Sequence, residues 1–361
     1  MGFVVAADDR WHDPEREAGV RQRRVEGTPV VETRVRIPNG DLVQRVWAVV
    51  AHGGVTVVEF FNDSPLPVAV AVDHPGILTG AAPTGQVPSG VDLPEGTRVL
   101  PVGHHATVRI GIAHDGRGAG ALASDLPAMD EVVSGWRSIA DRAGRYELPA
   151  GMSGTSAAEA IVAARCEWLL GMVSDPRIDP VSSLVECDHL VRMGERPDDL
   201  VPIVADAVSL IARSDHPGRG IAFAAAGRVL AAADEQRALR DLDRVIRRNP
   251  GIDDMPSGAA GVAAAMERRL VMSAGDAVDV LPEGIPQDWM LQGIEVFDVP
   301  TGRVGTVSFA VRWHGRRPAV IWERSGPDCL LRAPAIDPAW SSRDPRGEHL
   351  WAFEADEPAV P

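Results

Sequence analysis

The chain contains no lysine, so every one of the 36 positions counted as lysine or arginine among its 361 residues is arginine. This absence excludes chemistry that needs an amine side chain, such as the phosphate-binding lysine of a P-loop or a Schiff base. The sequence also lacks a Gly-x-Ser-x-Gly segment, so nucleophilic serine catalysis has no signature. Because lysine is absent, every basic side chain is an arginine or a histidine.

Cysteines and long apolar runs are also scarce. The three cysteines, Cys166, Cys187 and Cys329, have no CxxC spacing, which fits a reducing compartment and gives no zinc signature. No run of 18 apolar residues predicts a membrane-spanning helix. The N-terminal "MGFVVAADDRWHDPERE" lacks the basic start and long apolar stretch of a signal peptide. We therefore expect a cytoplasmic protein without a metal or a cofactor.

Positive charge is in deficit, since the formal net charge is −15. Nucleic-acid binding without sequence preference needs clustered cationic charge, and anionic lipid repels an acidic protein. We therefore expect neither nucleic acid nor a membrane as a partner. The apolar fraction of 45% and the charged fraction of 24% are ordinary for a soluble globular protein, and the length predicts one to three domains.

Strand patterns dominate the first third of the chain. Segments such as "PVVETRVRIP", "VQRVWAVVA" and "HATVRIGIAH" alternate apolar and polar residues with a period of two. Clusters of glycine and proline separate them. Several short strands at regular spacing predict an antiparallel β-sandwich over residues 1–120.

Helical patterns follow, and strand patterns then return. About seven segments rich in helix formers, including "SAAEAIVAARCEWLLGMVSD", predict an α-helical bundle or partial toroid over residues 121–275. From Asp276 the alternation returns, which predicts a β element over residues 276–361 that packs on the helices. The predicted fold class is therefore α+β. The charged tail from Arg343 onward is expected to fray.

The segment "SFAVRWHGRRPAVIWE", residues 308–323, predicts a β-hairpin. Alternation places Val307, Phe309, Val311 and Trp313 on one face, which we expect to be buried. The tight turn carries His314, Arg316 and Arg317. These three side chains are candidates for contact with a ligand or partner. Five of the nine tryptophans lie at or after Trp289; they could stack on sugar rings or anchor a small β layer.

Residues 270–323, which contain "LPEGIPQDWM" and the hairpin above, resemble the β-rich segment that follows the helical catalytic domain in some glycoside hydrolases. These enzymes are of the glucoamylase, trehalase and maltose-phosphorylase type. The order of a β-sandwich, helices and a β cap is similar to theirs. In this family the catalytic domain is a double ring of twelve helices that carries two carboxylic acids. Residues 126–272 have room for only about seven helices of ordinary length, so we expect a truncated toroid, and the resemblance transfers no catalytic residue.

Glu167 and Glu186 are the candidate catalytic carboxylates, chosen from a helical set that also includes Glu159, Asp188 and Glu195. Inverting glycoside hydrolysis needs one protonated and one ionised carboxyl group. Trp168, next to Glu167, could supply a stacking surface for a sugar or an apolar wall that raises the pKa of the acid. The alternative is that these glutamates lie on solvated helix faces.

The segment "ECDH" could in principle hold a metal, because Glu186 and His189 lie three residues apart on one helix face. Zinc usually needs three or four protein ligands, so a half-buried helix face is the favoured interpretation.

Two functional hypotheses follow. The first is a non-catalytic structural or interaction protein built from glycoside-hydrolase-like parts, with carbohydrate or another protein as its partner. The alternative is an inverting glycoside hydrolase or a phosphorylase-like enzyme with a shortened helical domain, completed by a second subunit. An enzyme should show a concave pocket with two facing carboxylates, whereas an interaction protein should show a complementary surface.

Overall fold

The computed structural model describes residues 2–80, 93–116, 118–149, 155–213, 215–249 and 255–355. Its contacts divide the chain into two compact units, residues 1–136 and 137–361. The helices and several mostly antiparallel sheets confirm the predicted α+β class. The boundaries predicted near residues 120 and 275 stay predictions.

The first unit is a β-sandwich whose two sheets have the strand orders β2-β1-β7-β9 and β3-β4-β5-β6-β10-β8. Its strands are β1 Gly2–Ala6, β2 Trp11–His12, β3 Arg21–Arg24, β4 Val31–Ile37, β5 Gly40–Val49, β6 Val55–Asp63, β7 Val68–Asp73, β8 Ile77–Thr79, β9 Arg98–Val102 and β10 Thr107–Ala113.

The two sheets of the sandwich bury a shared apolar layer that includes Val5, Leu42, Phe60, Val70 and Leu100. These side chains come from strands of both sheets, as the alternating pattern predicts. The outer face of the six-stranded sheet carries a second, smaller cluster with Trp47 and Val57. Helix α1, Met129–Ala140, contributes Val133 to this second cluster.

The second unit combines helices with two sheets, of orders β11-β14-β15-β16-β19 and β12-β13-β17-β18. Its helices are α2 Thr155–Leu169, α3 Pro180–Met193, α4 Pro197–Ile211, α5 Arg219–Ala232, α6 Gln236–Arg248 and α7 Gly258–Leu270. Its strands are β11 Arg145–Glu147, β12 Val271–Ala274, β13 Ala277–Val280, β14 Ile294–Pro300, β15 Thr306–His314, β16 Arg317–Arg324, β17 Leu330–Ala333, β18 Asp337–Ser342 and β19 Arg346–Leu350.

Helix α3 shows how the local sequence sets an element. The Asp179 carboxylate accepts a hydrogen bond from Ser182 N at 3.0 Å, and Pro180 occupies the first turn. Gly194 ends the helix at φ 117, a left-handed conformation that favours glycine. Because both ends are specified, the charged residues in between have fixed positions on the helix.

An apolar core joins helices α2, α3 and α7 to the C-terminal strands. It includes Trp168 and Met266 from helices, and Val311, Trp340 and Trp351 from strands or their ends. Trp340 contacts Trp322 and Trp351 edge to face, with centroid distances of 5.3 and 5.8 Å. Four of the five C-terminal tryptophans are therefore buried anchors of the β layer, namely Trp289, Trp322, Trp340 and Trp351.

Two expectations about the C-terminal strands need correction. Trp313 is half-buried, whereas Val307, Phe309 and Val311 of its stripe are fully buried. The tail does not fray from Arg343, because Arg346–Leu350 pairs with β16 and Trp351 is fully buried. Residues 356–361, the last part of that predicted tail, lie outside the described residues.

Replacing the buried Trp351 should destabilise the second unit. We expect Trp351→Ala to lower its free energy of unfolding by about 3–5 kcal/mol, because the change leaves a cavity against Trp340. Trp313→Ala is the matched control and should cost clearly less, since its ring is partly solvated. Urea denaturation followed by far-UV circular dichroism measures both; equal losses would contradict the anchoring role of Trp351.

Candidate functional site

The polar centre of the second unit is built around Arg165 on α2. This side chain is 1% exposed. Its guanidinium donates hydrogen bonds to the carbonyl oxygens of Ala140, Ala143 and Gly144, at 3.2, 2.9 and 2.5 Å. These carbonyls end α1 and the turn after it, where helix geometry leaves acceptors unpaired. Arg165 therefore caps that helix end from inside the core.

Arg192 on α3 extends the same network to α7. It donates to the Ala143 carbonyl at 2.6 Å and to the Glu267 carboxylate at 2.8 Å. The Tyr146 hydroxyl also donates to Glu267, at 3.1 Å. Burial raises the pKa of this tyrosine, so it remains a protonated donor. Tyr146 of β11 and Arg192 of α3 therefore bind the same carboxylate, that of Glu267 on α7.

Asp188 on α3 joins the network to α5. Arg228 Nε and Nη2 bind its two carboxylate oxygens at 2.8 and 2.7 Å, and Arg192 Nη2 lies at 3.2 Å. Burial acts to raise the pKa of Asp188, but Arg192 and Arg228 outweigh it and hold the pKa below its ordinary value. Asp188 is therefore held as an ionised structural partner of two arginines.

His189 lies beside Asp188 and is also buried. Arg165 Nε lies 3.3 Å from its Nδ1, and its ring lies 5.1 Å from that of Trp168. Burial, followed by Arg192, Arg165 and Arg228, lowers the pKa of His189 well below its ordinary value. The ring is therefore neutral, and it can accept a hydrogen bond from an arginine.

Trp168, the residue proposed to stack on a sugar, is 3% exposed and packs in the core against His189. Its neighbour Glu167 is half-exposed on α2.

Glu186, the second candidate carboxylate, accepts hydrogen bonds from Ser174. The backbone amide of Ser174 lies 2.6 Å from Oε2, and its hydroxyl lies 2.8 Å from Oε1. Burial raises the pKa of Glu186 despite these two hydrogen bonds. Both oxygens thus hold the loop before α3. Within the described residues, no group of three or more His, Cys, Asp or Glu side chains is placed to hold a metal ion.

A small pocket of about 160 Å³ lies between the end of α1, β11 and α2. It is lined by three carboxylates, Asp141, Glu147 and Glu159, with Tyr146 and Arg165 also in its wall. Burial raises the pKa of Asp141, and the charge of Glu147 contributes in the same direction. Glu159 was among the candidate helical glutamates, whereas Asp141 and Glu147 were not predicted; Asp141 follows α1 in a short turn, and Glu147 lies on β11, which interrupts a region predicted to be helical.

The two arginines of the hairpin turn bind the protein's own C-terminal segment. Arg316 Nε donates to the Ala355 carbonyl at 2.6 Å, and Arg317 donates twice to the Trp351 carbonyl, at 3.2 and 3.0 Å. His314 is exposed beside them, and Gly315 turns the chain at φ 63. The turn therefore contributes to fixing residues 351–355, and His314 remains its candidate contact with a partner.

The sandwich carries a separate charged feature on the outer face of its six-stranded sheet. In register across five strands lie Arg23, Glu32, Arg45, Glu59 and Arg109. Each neighbouring pair forms an ion pair of 2.7–3.1 Å. Positive and negative side chains thus alternate in one row perpendicular to the strands.

Another carboxylate, Asp41, binds three further arginines next to this row. Asp41 lies within 3.0 Å of Arg21, 3.3 Å of Arg36 and 3.8 Å of Arg34. Arg34 also pairs with Glu32 at 3.0 Å. We call the face formed by Arg21, Arg23, Arg34, Arg36, Arg45 and Arg109, with Glu32, Asp41 and Glu59, the arginine face.

A groove of about 590 Å³ adjoins the arginine face at Glu59 and Arg109. Its other walls include Val57 on the sheet, and Leu122 and Leu126 in the segment that follows β10. Gly111 permits this close approach, since a Cβ there would lie 2.6 Å from Leu122 Cδ1. One end of the groove is charged and the rest is largely apolar.

No protein-family model matches the chain, and no curated protein is significantly similar to it. None of the described helices is long and apolar enough to cross a membrane.

Removing the charge of Asp188 should strongly destabilise the second unit. We expect Asp188→Asn to cost about 3–5 kcal/mol, because Arg192 and Arg228 lose a buried partner. The control is Asp243→Asn, which breaks an exposed pair with Arg303 and should cost at most about 1 kcal/mol. Chemical denaturation measures both. A similar small cost for the two variants would contradict a buried structural network.

Acid should weaken the second unit through His189. Its pKa is lowered on folding, so below its unfolded pKa, about 6.5, only the unfolded chain takes up the proton. The free energy of unfolding is therefore unaffected by His189 above that pH. Below it, proton uptake by the unfolded chain lowers this free energy by up to about 1.4 kcal/mol per pH unit. Unfolding free energies of the wild type and of His189→Gln, compared between pH 7 and pH 5, test this. Equal slopes would contradict it.

Proposed function

We propose that the protein is a non-catalytic interaction protein of the cytoplasm, built from glycoside-hydrolase-like parts. One observation carries the proposal: two of the side chains suggested for sugar chemistry, Trp168 on α2 and Glu186 on α3, are occupied by structural contacts. Trp168 is in the core, and Ser174 binds both oxygens of Glu186. A general acid must reach a substrate oxygen within hydrogen-bonding distance. Glu186 could do so only by giving up the loop that it holds.

Carbohydrate binding without catalysis remains one form of this proposal. Half-buried Trp313 lies on β15, next to the turn, and packs edge to face on Phe353 at 6.5 Å. With exposed His314 beside it, this pair offers a small stacking surface of the kind that binds sugar rings. A protein partner is the other form, and the arginine face supports it.

One observation favours the enzymatic alternative, namely the pocket of Asp141, Glu147 and Glu159. A carboxyl group with a raised pKa beside another carboxylate is the arrangement needed for acid and base roles. The pocket measures about 160 Å³, whereas ligand pockets usually measure about 300–1,000 Å³. The pocket is therefore smaller than usual ligand pockets, and this small size favours the non-catalytic proposal.

Incubation with maltose, trehalose and maltooligosaccharides, with and without inorganic phosphate, tests the proposal. We expect no hydrolysis or phosphorolysis by product analysis, since the pocket of Asp141, Glu147 and Glu159, at about 160 Å³, lies below the usual range of ligand pockets. A rise in melting temperature with a sugar but without turnover would support carbohydrate binding, and no rise would favour a protein partner. Turnover that is abolished by Asp141→Asn but retained by Asp243→Asn would contradict the non-catalytic proposal.

A further inference from the structure

On the arginine face, the arginine side chains are more exposed than the carboxylates that they bind. The side chains of Glu32, Asp41 and Glu59 are 4%, 9% and 7% exposed, whereas those of Arg21, Arg23 and Arg36 are 64–68% exposed. Six arginines face three carboxylates, in a chain whose net charge is −15. Asp63, at the margin in register with Asp41, lies 3.8 Å from His105. The accessible layer is therefore locally cationic on an acidic protein.

The buried carboxylates cannot accept hydrogen bonds from all the N–H donors of these arginines. Six guanidinium groups carry roughly thirty N–H donors, and three carboxylates offer about twelve acceptor positions. Burial opposes the ionisation of Glu32, but Arg34, Arg45 and Arg23 lower its pKa to about 2. Glu32 therefore stays ionised and holds its three arginines in place, while the outward donors of the face remain available to anions or water.

We propose that the arginine face and its adjoining groove dock an acidic polypeptide segment of a partner protein. This inference rests on the proposed role in protein interaction and names the surface used. Guanidinium groups bind carboxylates through two parallel hydrogen bonds. The partner's carboxylates bind the outer arginines, and an apolar side chain next to them enters the groove beside Leu122 and Leu126.

The spacing of the row suits such a segment. Arg23, Arg45 and Arg109 lie on every second strand, so their backbones are about 9.6 Å apart. Acidic residues at every third position of an extended chain are about 10 Å apart, at ~3.3 Å per residue. A long polyanion such as DNA fits less well, because the net charge of −15 repels it beyond the face.

A binding titration tests the inference. The probe is a fluorescent peptide of five Glu-Ser-Ser repeats followed by Leu-Leu, titrated with the full chain by fluorescence anisotropy. We expect binding that weakens with added salt. The variant Arg21→Gln/Arg23→Gln/Arg36→Gln should lower the affinity by at least about tenfold. A control, Arg16→Gln/Arg177→Gln/Arg196→Gln, removes three exposed arginines elsewhere and should stay within about twofold of the wild type.

Four results would overturn the inference: no binding of the peptide, equal binding of a peptide with Gln in place of Glu, equal loss in the control variant, or tighter binding of duplex DNA than of the peptide. Salt-sensitive self-association that the test variant abolishes would instead assign the face to a second copy of this chain. Thermal melting of both triple variants checks that they are folded, and Arg109→Gln repeats the test with one change. Sugar turnover would refute the proposed function alone, since it leaves these binding results unchanged.

Discussion

The second unit depends on buried arginines that donate hydrogen bonds to backbone carbonyls at the end of a helix, where the helix itself supplies no donors. Arg165 and Arg192 reach the carbonyls at the end of α1, and the same side chains approach His189 and Glu267. Elements distant in sequence thus meet at a few guanidinium groups. A buried charge without its partner is costly, so the network tolerates little rearrangement. The candidate residues around Glu186 and Trp168 are held within this frame.

Arginine serves two opposite purposes in this lysine-free chain. In the core of the second unit, guanidinium groups bridge carbonyls and carboxylates and are almost fully covered. On the sandwich, they cover buried carboxylates and point outward. Both uses need a planar group with several donors in fixed directions, which an ammonium group does not provide. The acidic net charge hides this local cationic surface, because composition averages over the whole chain.

Sequence patterns predicted the order of sandwich, helices and C-terminal strands, because periods of two and 3.6 residues report directly on burial. They missed β11, since three residues such as Arg145–Glu147 are too few to show a period. They also could not find the partners of Glu186, Arg316 and Arg317, which depend on contacts with Ser174, Ala355 and Trp351. The row from Arg23 to Arg109 could not be predicted from the sequence, because it depends on the register of five strands.

We propose that the protein acts by binding through its sandwich and not through the pocket near Asp141. Hydrogen–deuterium exchange of the full chain, with and without the acidic peptide, distinguishes the two sites. We expect slower exchange in edge strand β3 and in the neighbouring β4 and β5, with no change around the pocket. Slower exchange confined to residues 141–165, or no change anywhere, would contradict it.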